Sequence, residues 1–170
     1  MMHSATKRIS VEAMLIAGAL SLAYLENMLP FISIIPGMKI GLANIVIFFA
    51  LYMLGIKSAV RISLIRILIV VLLSANYITG AFSLAGAILS LLVMAILKHF
   101  HFGLALCSIC GALAHNVGQI GVAYCLLGSA YIFAYLPVLM LLSLGSGLLV
   151  GIISSLLIKR LSLTDFLGNF

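Results

Sequence analysis

The sequence predicts an all-α polytopic membrane protein with six transmembrane helices in one domain, residues 1–170. Hydrophobic residues make up 65% of the chain and charged residues only 7%, and the mean hydropathy is +1.39. A soluble domain would carry about a quarter charged residues. Apolar runs of about 20 residues, the length that crosses a bilayer, recur along the chain. They are continuous rather than alternating, which favours helices over a closed barrel.

The first helix is predicted at about 9–25, after a short polar tail. Its alanines, among them Ala13 and Ala17, form small-xxx-small pairs. Such pairs let a second helix approach closely. Pro30 and Pro36-Gly37 then mark a loop, because proline stops helices and pre-sets turns. If the small face of this helix points outward, it offers a docking surface for a partner.

Three more helices are predicted to follow this loop. Helix 2, at about 40–54, is short, and helix 3, at about 58–75, carries Arg66 near its middle. The polar stretch 76–80 contains glycine and asparagine, which favour a turn. Helix 4 is therefore expected only from 81, extending to about 97.

The last two helices are separated by an aromatic segment. Helix 5 is predicted at about 103–127. Tyr131, Phe133 and Tyr135 follow it and indicate a membrane-interface belt, where aromatic rings are enriched. Pro137 can occupy the first turn of helix 6, at about 137–158, because its missing N–H is not needed there.

The basic residues predict the orientation of the chain. With six helices and an inner N-terminus, Lys39 is the one basic residue on the outer side, and Arg66 lies within the membrane. The positive-inside rule then places both termini in the cytoplasm and the protein in the cell membrane. The net charge of +6 is accounted for by these loop charges, so it does not indicate nucleic-acid binding. Seven basic residues lie on the inner side: Lys7, Arg8, Lys57, Arg61, Lys98, Lys159 and Arg160.

Several polar side chains interrupt the apolar helices at a similar depth. Counting along helices of alternating direction places them all in the outer half of the membrane. Polar groups in lipid are costly, so their convergence from different helices predicts a cavity open to the outside. The predicted substrate-binding residues are Lys39, Asn44, Arg66, His115, Asn116 and Gln119.

Each of these residues has a functional and a structural interpretation. Arg66 costs about 2.5–3.5 kcal/mol at a helix centre, which suggests a counter-charge for an anionic ligand, but pairing with Glu26 or with helix carbonyls would also explain it. Lys39, with the amides of the helix that follows it, would favour an anion, or it could extend to interfacial water. His115, Asn116 and Gln119 lie within five positions and could bind a ligand or fix helix packing through hydrogen bonds.

No metal or cofactor site is predicted. The three cysteines fall in one predicted helix, so no disulfide framework follows. Cys107 and Cys110 have C-x-x-C spacing but lack a second pair for a tetrahedral site, and small apolar packing residues are the preferred interpretation. His99 and His101 are assigned to a basic inner loop.

With these residues in view, the chain resembles the Gx transporter family, also labelled heptaprenyl diphosphate synthase component I. The similarity covers about Val11 to Arg160. That family resembles the substrate-binding S components of energy-coupling factor (ECF) transporters. The stretches that carry the resemblance are Pro36-Gly37-Met38-Lys39-Ile40-Gly41-Leu42-Ala43-Asn44-Ile45, then Arg66, then Ala114-His115-Asn116-Val117-Gly118-Gln119.

The resemblance implies an ECF S-component-like fold and ATP-driven uptake of a small substrate from outside. It also implies partners, namely a T subunit that docks on an Ala-x-x-x-Ala motif, matched here by Ala13 and Ala17, and two ATPase subunits. The S component would tip over in the membrane to release its substrate inside. A self-sufficient transporter is disfavoured, because two short halves leave little machinery for alternating access.

The biosynthetic label does not fit an autonomous enzyme. Prenyl chain elongation needs clustered carboxylates to hold Mg²⁺ and diphosphate. The three acidic residues, Glu12, Glu26 and Asp165, are far apart, and no Walker A motif for ATP is present. We therefore expect no catalysis by this chain. A non-catalytic membrane component of an isoprenoid or quinone biosynthesis enzyme remains the alternative to the S subunit.

Overall fold

The computed structural model describes residues 2–28 and 41–162, which fold into six α-helices and one short 3-10 helix. Lys39, the prolines of the first loop and Asp165 lie outside the described residues. The 3-10 helix, Ala130–Tyr135, joins α5 to α6. The α-helices are α1 Met2–Asn27, α2 Leu42–Met53, α3 Ile56–Ser74, α4 Tyr77–His99, α5 Leu104–Leu127 and α6 Leu136–Ser162.

Two stretches that the sequence assigned to polar connections are helical. The expected N-terminal tail belongs to α1, which begins at Met2, because residues 2–8 contain no glycine or proline to stop it. The turn predicted over 76–80 is also wrong. Asn76 caps α4, since its side chain accepts a hydrogen bond from the Thr79 N–H at 3.0 Å, and the helix starts at Tyr77.

The helices pack antiparallel around a common centre. α1 contacts α2 and α3, α3 contacts α4, α4 contacts α5, α5 contacts α6, and α6 returns to α2. α2 also contacts α3, and half of its 12 residues are buried. Phe48 and Leu51 of α2 pack with Ile62 of α3 and Cys107 of α5 in the apolar core. α2 is thus enclosed by its neighbours.

Four helical segments are long and apolar enough to cross a bilayer, and they lie in α1, α4, α5 and the region Ala130–Leu161. α2 spans only about 18 Å at 1.5 Å per residue, less than the ~30 Å hydrocarbon core. α3 is 19 residues long but contains Lys57, Arg61 and Arg66. The six-helix prediction is confirmed, and the composition indicates a multi-pass membrane protein.

Small residues bring α4, α5 and α6 into close contact. A Cβ atom on Gly118 would lie 2.7 Å from the Ala85 carbonyl oxygen, and one on Gly147 would lie 2.8 Å from Ile109 Cα. Ser108 of α5 donates a hydrogen bond to the Gly147 carbonyl oxygen at 2.7 Å. Backbone approach of this kind replaces the hydrophobic effect as the source of helix association in lipid.

A charged network ties α1 to α3 at the end of the bundle where α1 begins, called here the basic end. Arg61 donates to the Glu12 carboxylate at 2.5 and 3.1 Å, and Arg8 lies 3.4 Å from the same carboxylate. Arg8 also donates to Ser58 Oγ at 2.8 Å. On the far side of α2, Lys98 donates to the Leu51 carbonyl oxygen at 2.6 Å, which satisfies a group at the C-terminus of α2.

Candidate functional site

A cavity of about 70 Å³ lies at the centre of the bundle and is lined by residues from all six α-helices. It extends from the end opposite the basic end, where α1 finishes and α2 begins, towards Phe48 and Met94 in the core. Among the described residues, its lining mixes apolar side chains with one cation, one carboxylate, one imidazole and several amides and hydroxyls. The polar lining residues include Glu26, Asn44, Arg66, Asn76, Thr79, Ser83, Ser90, His115, Asn116 and Ser146.

Arg66 lies in the middle of α3 and faces this cavity. Its Nε atom is buried and has no hydrogen-bond partner among the described residues. Glu26 attracts the guanidinium electrostatically, but no ion pair within 4.0 Å joins the two in the described part of the chain. A guanidinium carries five N–H donors, so Arg66 keeps hydrogen-bonding capacity that a ligand could use.

Glu26 shapes the rim of the cavity. Glu26 lies in the last turn of α1 and is only 3% exposed. Its Oε1 accepts a hydrogen bond from the Gly41 N–H at 2.6 Å. Gly41 has a φ of +81°, a conformation that favours glycine, and it precedes the first turn of α2. The carboxylate therefore fixes where α2 starts, and it adds a negative charge to the cavity that holds Arg66.

His115 lines the cavity from α5 and lies directly over Gly86 of α4. A Cβ atom on Gly86 would lie 2.8 Å from His115 Cε1 and Nε2, so the ring occupies the space that any larger residue would fill. This glycine therefore sets the position of the imidazole. A neutral imidazole carries one donor and one acceptor nitrogen, so His115 adds polarity to the cavity wall.

Asn116 serves the packing of the helices. Its Nδ2 donates to the Leu139 carbonyl oxygen at 3.1 Å and to Ser143 Oγ, and Ser143 Oγ in turn donates to the Leu139 carbonyl oxygen. These bonds hold α5 against α6. Asn116 also lines the cavity, and its side-chain oxygen is a hydrogen-bond acceptor.

The other predicted site residues are distributed differently. Asn44 lines the cavity from the first turn of α2. Gln119 is buried, 6% exposed, but lies outside the lining of this cavity. Lys39 falls outside the described residues. The structure thus brings Asn44, Arg66, His115 and Asn116 together and separates Gln119 from them.

Sequence reasoning missed the hydroxyl groups of the cavity. Thr79, Ser83 and Ser90 line it from α4, and Ser146 lines it from α6. Spacings of four and seven residues put the three α4 side chains on one helix face, and this spacing could have identified them from the sequence. A single serine in a transmembrane helix attracts little notice, because its hydroxyl can bond to its own backbone.

Among the described residues, no helix packs over the small side chains on the outer face of α1. Ala13 and Ala17 are both exposed, and so are Met14 and Ser21. Ala19, on the opposite side, is completely buried. The alanine face predicted from the sequence therefore points away from the bundle.

No metal-binding cluster of histidine, cysteine or carboxylate residues occurs within the described ranges. Cys107, Cys110 and Cys125 are free thiols, and the first is buried. The described lining of the cavity supplies hydrogen-bond donors, acceptors and the Arg66 cation, which suit it to hold a polar molecule.

The profile of the family described as heptaprenyl diphosphate synthase component I matches residues 15–157, which is most of the chain. Comparison with curated proteins and with solved structures finds no match. The matched range includes the cavity-lining parts of all six helices.

Proposed function

Because the chain belongs to the heptaprenyl diphosphate synthase component I family, a membrane-type auxiliary protein, we propose that it acts by binding rather than by catalysis. The role proposed is that of the membrane-embedded substrate-binding subunit of an ECF-type, ATP-driven importer. It captures a small molecule from outside the cell. The resemblance drawn from the sequence motifs supports this role.

The central cavity carries the proposal. Six helices converge on it, and Arg66 enters it with a buried Nε that has no partner in the described part of the chain. A membrane helix bears the cost of an arginine at its centre when the charge is used, and intramembrane ionisable residues are functional candidates for that reason. A small-molecule site of this type combines apolar walls with a few well-placed polar groups.

The proposed ligand is small, anionic and partly apolar. Arg66 neutralises its charge, together with Lys39. Asn44, His115, Asn116 and Gln119 were predicted to orient it; of these, Gln119 could contribute only if the cavity widens around the ligand. Glu26 opposes an anion, so the balance between Glu26 and Arg66 sets the charge of the ligand.

Two substitutions test this charge assignment. Arg66→Ala should abolish binding of the small molecule that co-purifies with the protein and is identified by mass spectrometry. Glu26→Gln keeps an acceptor for the Gly41 N–H but removes the negative charge, so it should tighten binding of an anion by roughly ten-fold or less. Lys7→Ala, which removes an exposed positive charge near the start of α1 and away from the cavity, is the control.

Unchanged affinity of a folded Arg66→Ala variant would contradict the role of the arginine. Weaker binding in Glu26→Gln would indicate a zwitterionic ligand instead of an anion. Thermal unfolding of each variant in detergent separates loss of the site from loss of the fold.

The partners proposed are a T subunit and two ATPase subunits. The exposed alanine face of α1 is the surface offered to the T subunit, and ATP hydrolysis must come from outside the chain, whose sequence has no Walker A motif. We place the protein in the cell membrane with both termini in the cytoplasm, following the distribution of basic residues.

The family description favours a second candidate, a non-catalytic membrane component of an isoprenoid or quinone biosynthesis enzyme. Affinity purification from native membranes separates the two roles. Recovery with ATPase subunits and a T subunit supports the importer. Recovery with a prenyltransferase, and without ATPase subunits, supports the biosynthetic component and contradicts the importer.

A further inference from the structure

A second, wholly different recess lies on the outside of the bundle between α3 and α4. The two helices touch closely at the end opposite the basic end, where a Cβ atom on Gly80 would lie 2.3 Å from Val71 Cγ2. Towards the basic end they leave a groove of about 340 Å³. Its walls are apolar, and Leu64, Leu92 and Ile96 are each between 46% and 57% exposed, so the groove faces the surroundings of the bundle.

The groove has the length of one leaflet of a bilayer. On α4 it extends from Leu84 to Ile96, which is about 18 Å at 1.5 Å per residue. Half of a ~30 Å hydrocarbon core is about 15 Å. Small residues, Ala87 and Ala95, form part of its floor where α3 and α4 separate.

The shape of the groove suits an extended hydrocarbon chain better than a helix. A helix about 10 Å across and 18 Å long occupies on the order of 1,400 Å³, so only one of its faces could enter a groove of about 340 Å³. A single extended chain is narrow enough to lie between α3 and α4.

Polar groups stand at the basic end of this groove. Lys57 lies three residues before Val60 and seven before Leu64, so it shares their side of α3. His99 lies three residues after Ile96 and four after Ala95, so it shares the groove side of α4. Both side chains are exposed, and Lys57 carries a positive charge at the level where a lipid headgroup would sit.

From this arrangement we propose that the α3–α4 groove binds one acyl chain of an anionic phospholipid, with the lipid phosphate held by Lys57 and His99. The apolar walls select a hydrocarbon chain, and the lysine selects a negative headgroup. The site is separate from the central cavity and does not depend on the function proposed for that cavity. If the basic end faces the cytoplasm, the leaflet concerned is the one in which anionic lipids attract basic residues.

The test is native mass spectrometry of the full-length protein, delipidated in detergent and mixed with defined lipids. Dioleoyl phosphatidylglycerol and dioleoyl phosphatidylcholine have the same chains and differ in charge. The wild-type protein should retain phosphatidylglycerol roughly five-fold better, the factor expected for one basic residue near a headgroup. Lys57→Gln should reduce this preference to about one, and Lys57→Gln with His99→Gln should weaken binding of both lipids.

Filling the groove gives the matching test of the chain site. Ala95→Phe places a ring in the groove and should remove the bound lipid of either type, whereas Ala81→Phe, on an exposed part of the same helix outside the groove, should not. Equal lipid retention in folded Ala95→Phe and Ala81→Phe would overturn the proposal. So would equal binding of the two lipids by the wild-type protein, or a change in oligomeric state instead of lipid content in Ala95→Phe.

Discussion

Two buried serines on α3 show how much the surroundings of one hydroxyl matter. Ser58 and Ser63 are 0% and 1% exposed. Ser58 Oγ accepts hydrogen bonds from Arg8 at 2.8 Å and from Arg61 at 3.4 Å. Ser63 Oγ has no partner among the described residues. A buried polar group without a partner destabilises a fold, whereas a paired one contributes to it.

Substitution of each serine by alanine should therefore have opposite effects. Ser58→Ala removes the acceptor for two guanidinium groups and should lower the free energy of unfolding by about 1–2 kcal/mol. Ser63→Ala removes an unpaired hydroxyl and should be neutral or slightly stabilising. Thermal unfolding in detergent measures both. A loss in Ser63→Ala as large as in Ser58→Ala would mean that Ser63 has a partner, such as a bound lipid or water.

Single residues also mark the limit of what the sequence could predict about the site. Arg66, His115 and Asn44 were identified because each is unusual in an apolar helix, and all three line one cavity. Asn116 was identified by the same reasoning, yet its amide is used to join α5 and α6. Polarity shows that a residue needs a partner, and only the neighbouring helices decide whether that partner is protein or ligand.

At the scale of elements, the contact between α4 and α5 depends on glycines whose roles differ. Gly118 abuts the backbone of α4, and Gly121, three residues later on the same helix, has nothing within 4 Å of an added Cβ. The sequence alone does not distinguish these two glycines. Their positions on α5 should make them respond in opposite directions to the same substitution.

Gly118→Ala should lower the free energy of unfolding by about 1–3 kcal/mol, because the new methyl group meets the Ala85 carbonyl and forces the helices apart. Gly121→Ala should be neutral, or stabilising by up to about 1 kcal/mol, since alanine is the better helix former. Differential scanning fluorimetry of the two variants in one detergent gives the comparison. Equal stability of the two would show that α4 and α5 adjust freely.

The exposed alanine face of α1 yields a prediction about assembly. Ala17→Leu adds bulk where a close helix–helix contact is proposed, so recovery of the T and ATPase subunits should fall to near background while ligand binding stays unchanged. Ala81→Leu, at an exposed alanine on α4, is the matched control. Unchanged recovery of the T and ATPase subunits with Ala17→Leu would show that this face of α1 is not the docking surface.

Element boundaries were predictable only where the chain has strong signals. The long apolar runs fixed α5 and α6 to within a few residues of their observed limits. The start of α4 was misassigned because Asn76 belongs both to turns and to helix caps, and spacing alone does not separate these roles. The length of α1 was underestimated because polar residues at a helix end extend into water at no cost.

For the molecule as a whole, the number of helices follows from composition, but their arrangement does not. Apolar runs and loop charges indicate six helices that alternate in direction. The polar residues predict a cavity, but neither they nor the apolar runs indicate that α2 lies enclosed by α1, α3 and α6, or which residues line the cavity from each helix. Those properties depend on which small residues meet across helices, and the sequence does not pair them.

The proposed orientation is testable with cysteine labelling. In a cysteine-free background, made with alanine at Cys107, Cys110 and Cys125, a membrane-impermeant maleimide should label Ala130→Cys in intact cells. It should label Phe102→Cys only after the membrane is opened. Both positions are exposed, at opposite ends of α5. The reverse pattern would invert the orientation and place the central cavity on the cytoplasmic side.

α1 is fastened at two points that belong to different neighbours. In its N-terminal half, Glu12 accepts hydrogen bonds from Arg61 of α3. Near its C-terminus, Glu26 accepts a hydrogen bond from the Gly41 N–H, which precedes α2. A displacement of α1 would therefore be transmitted both to α3 and to the rim of the cavity. If a partner docks on α1 as proposed, these two carboxylates would transmit its displacement to α3 and to the helix that opens onto the cavity.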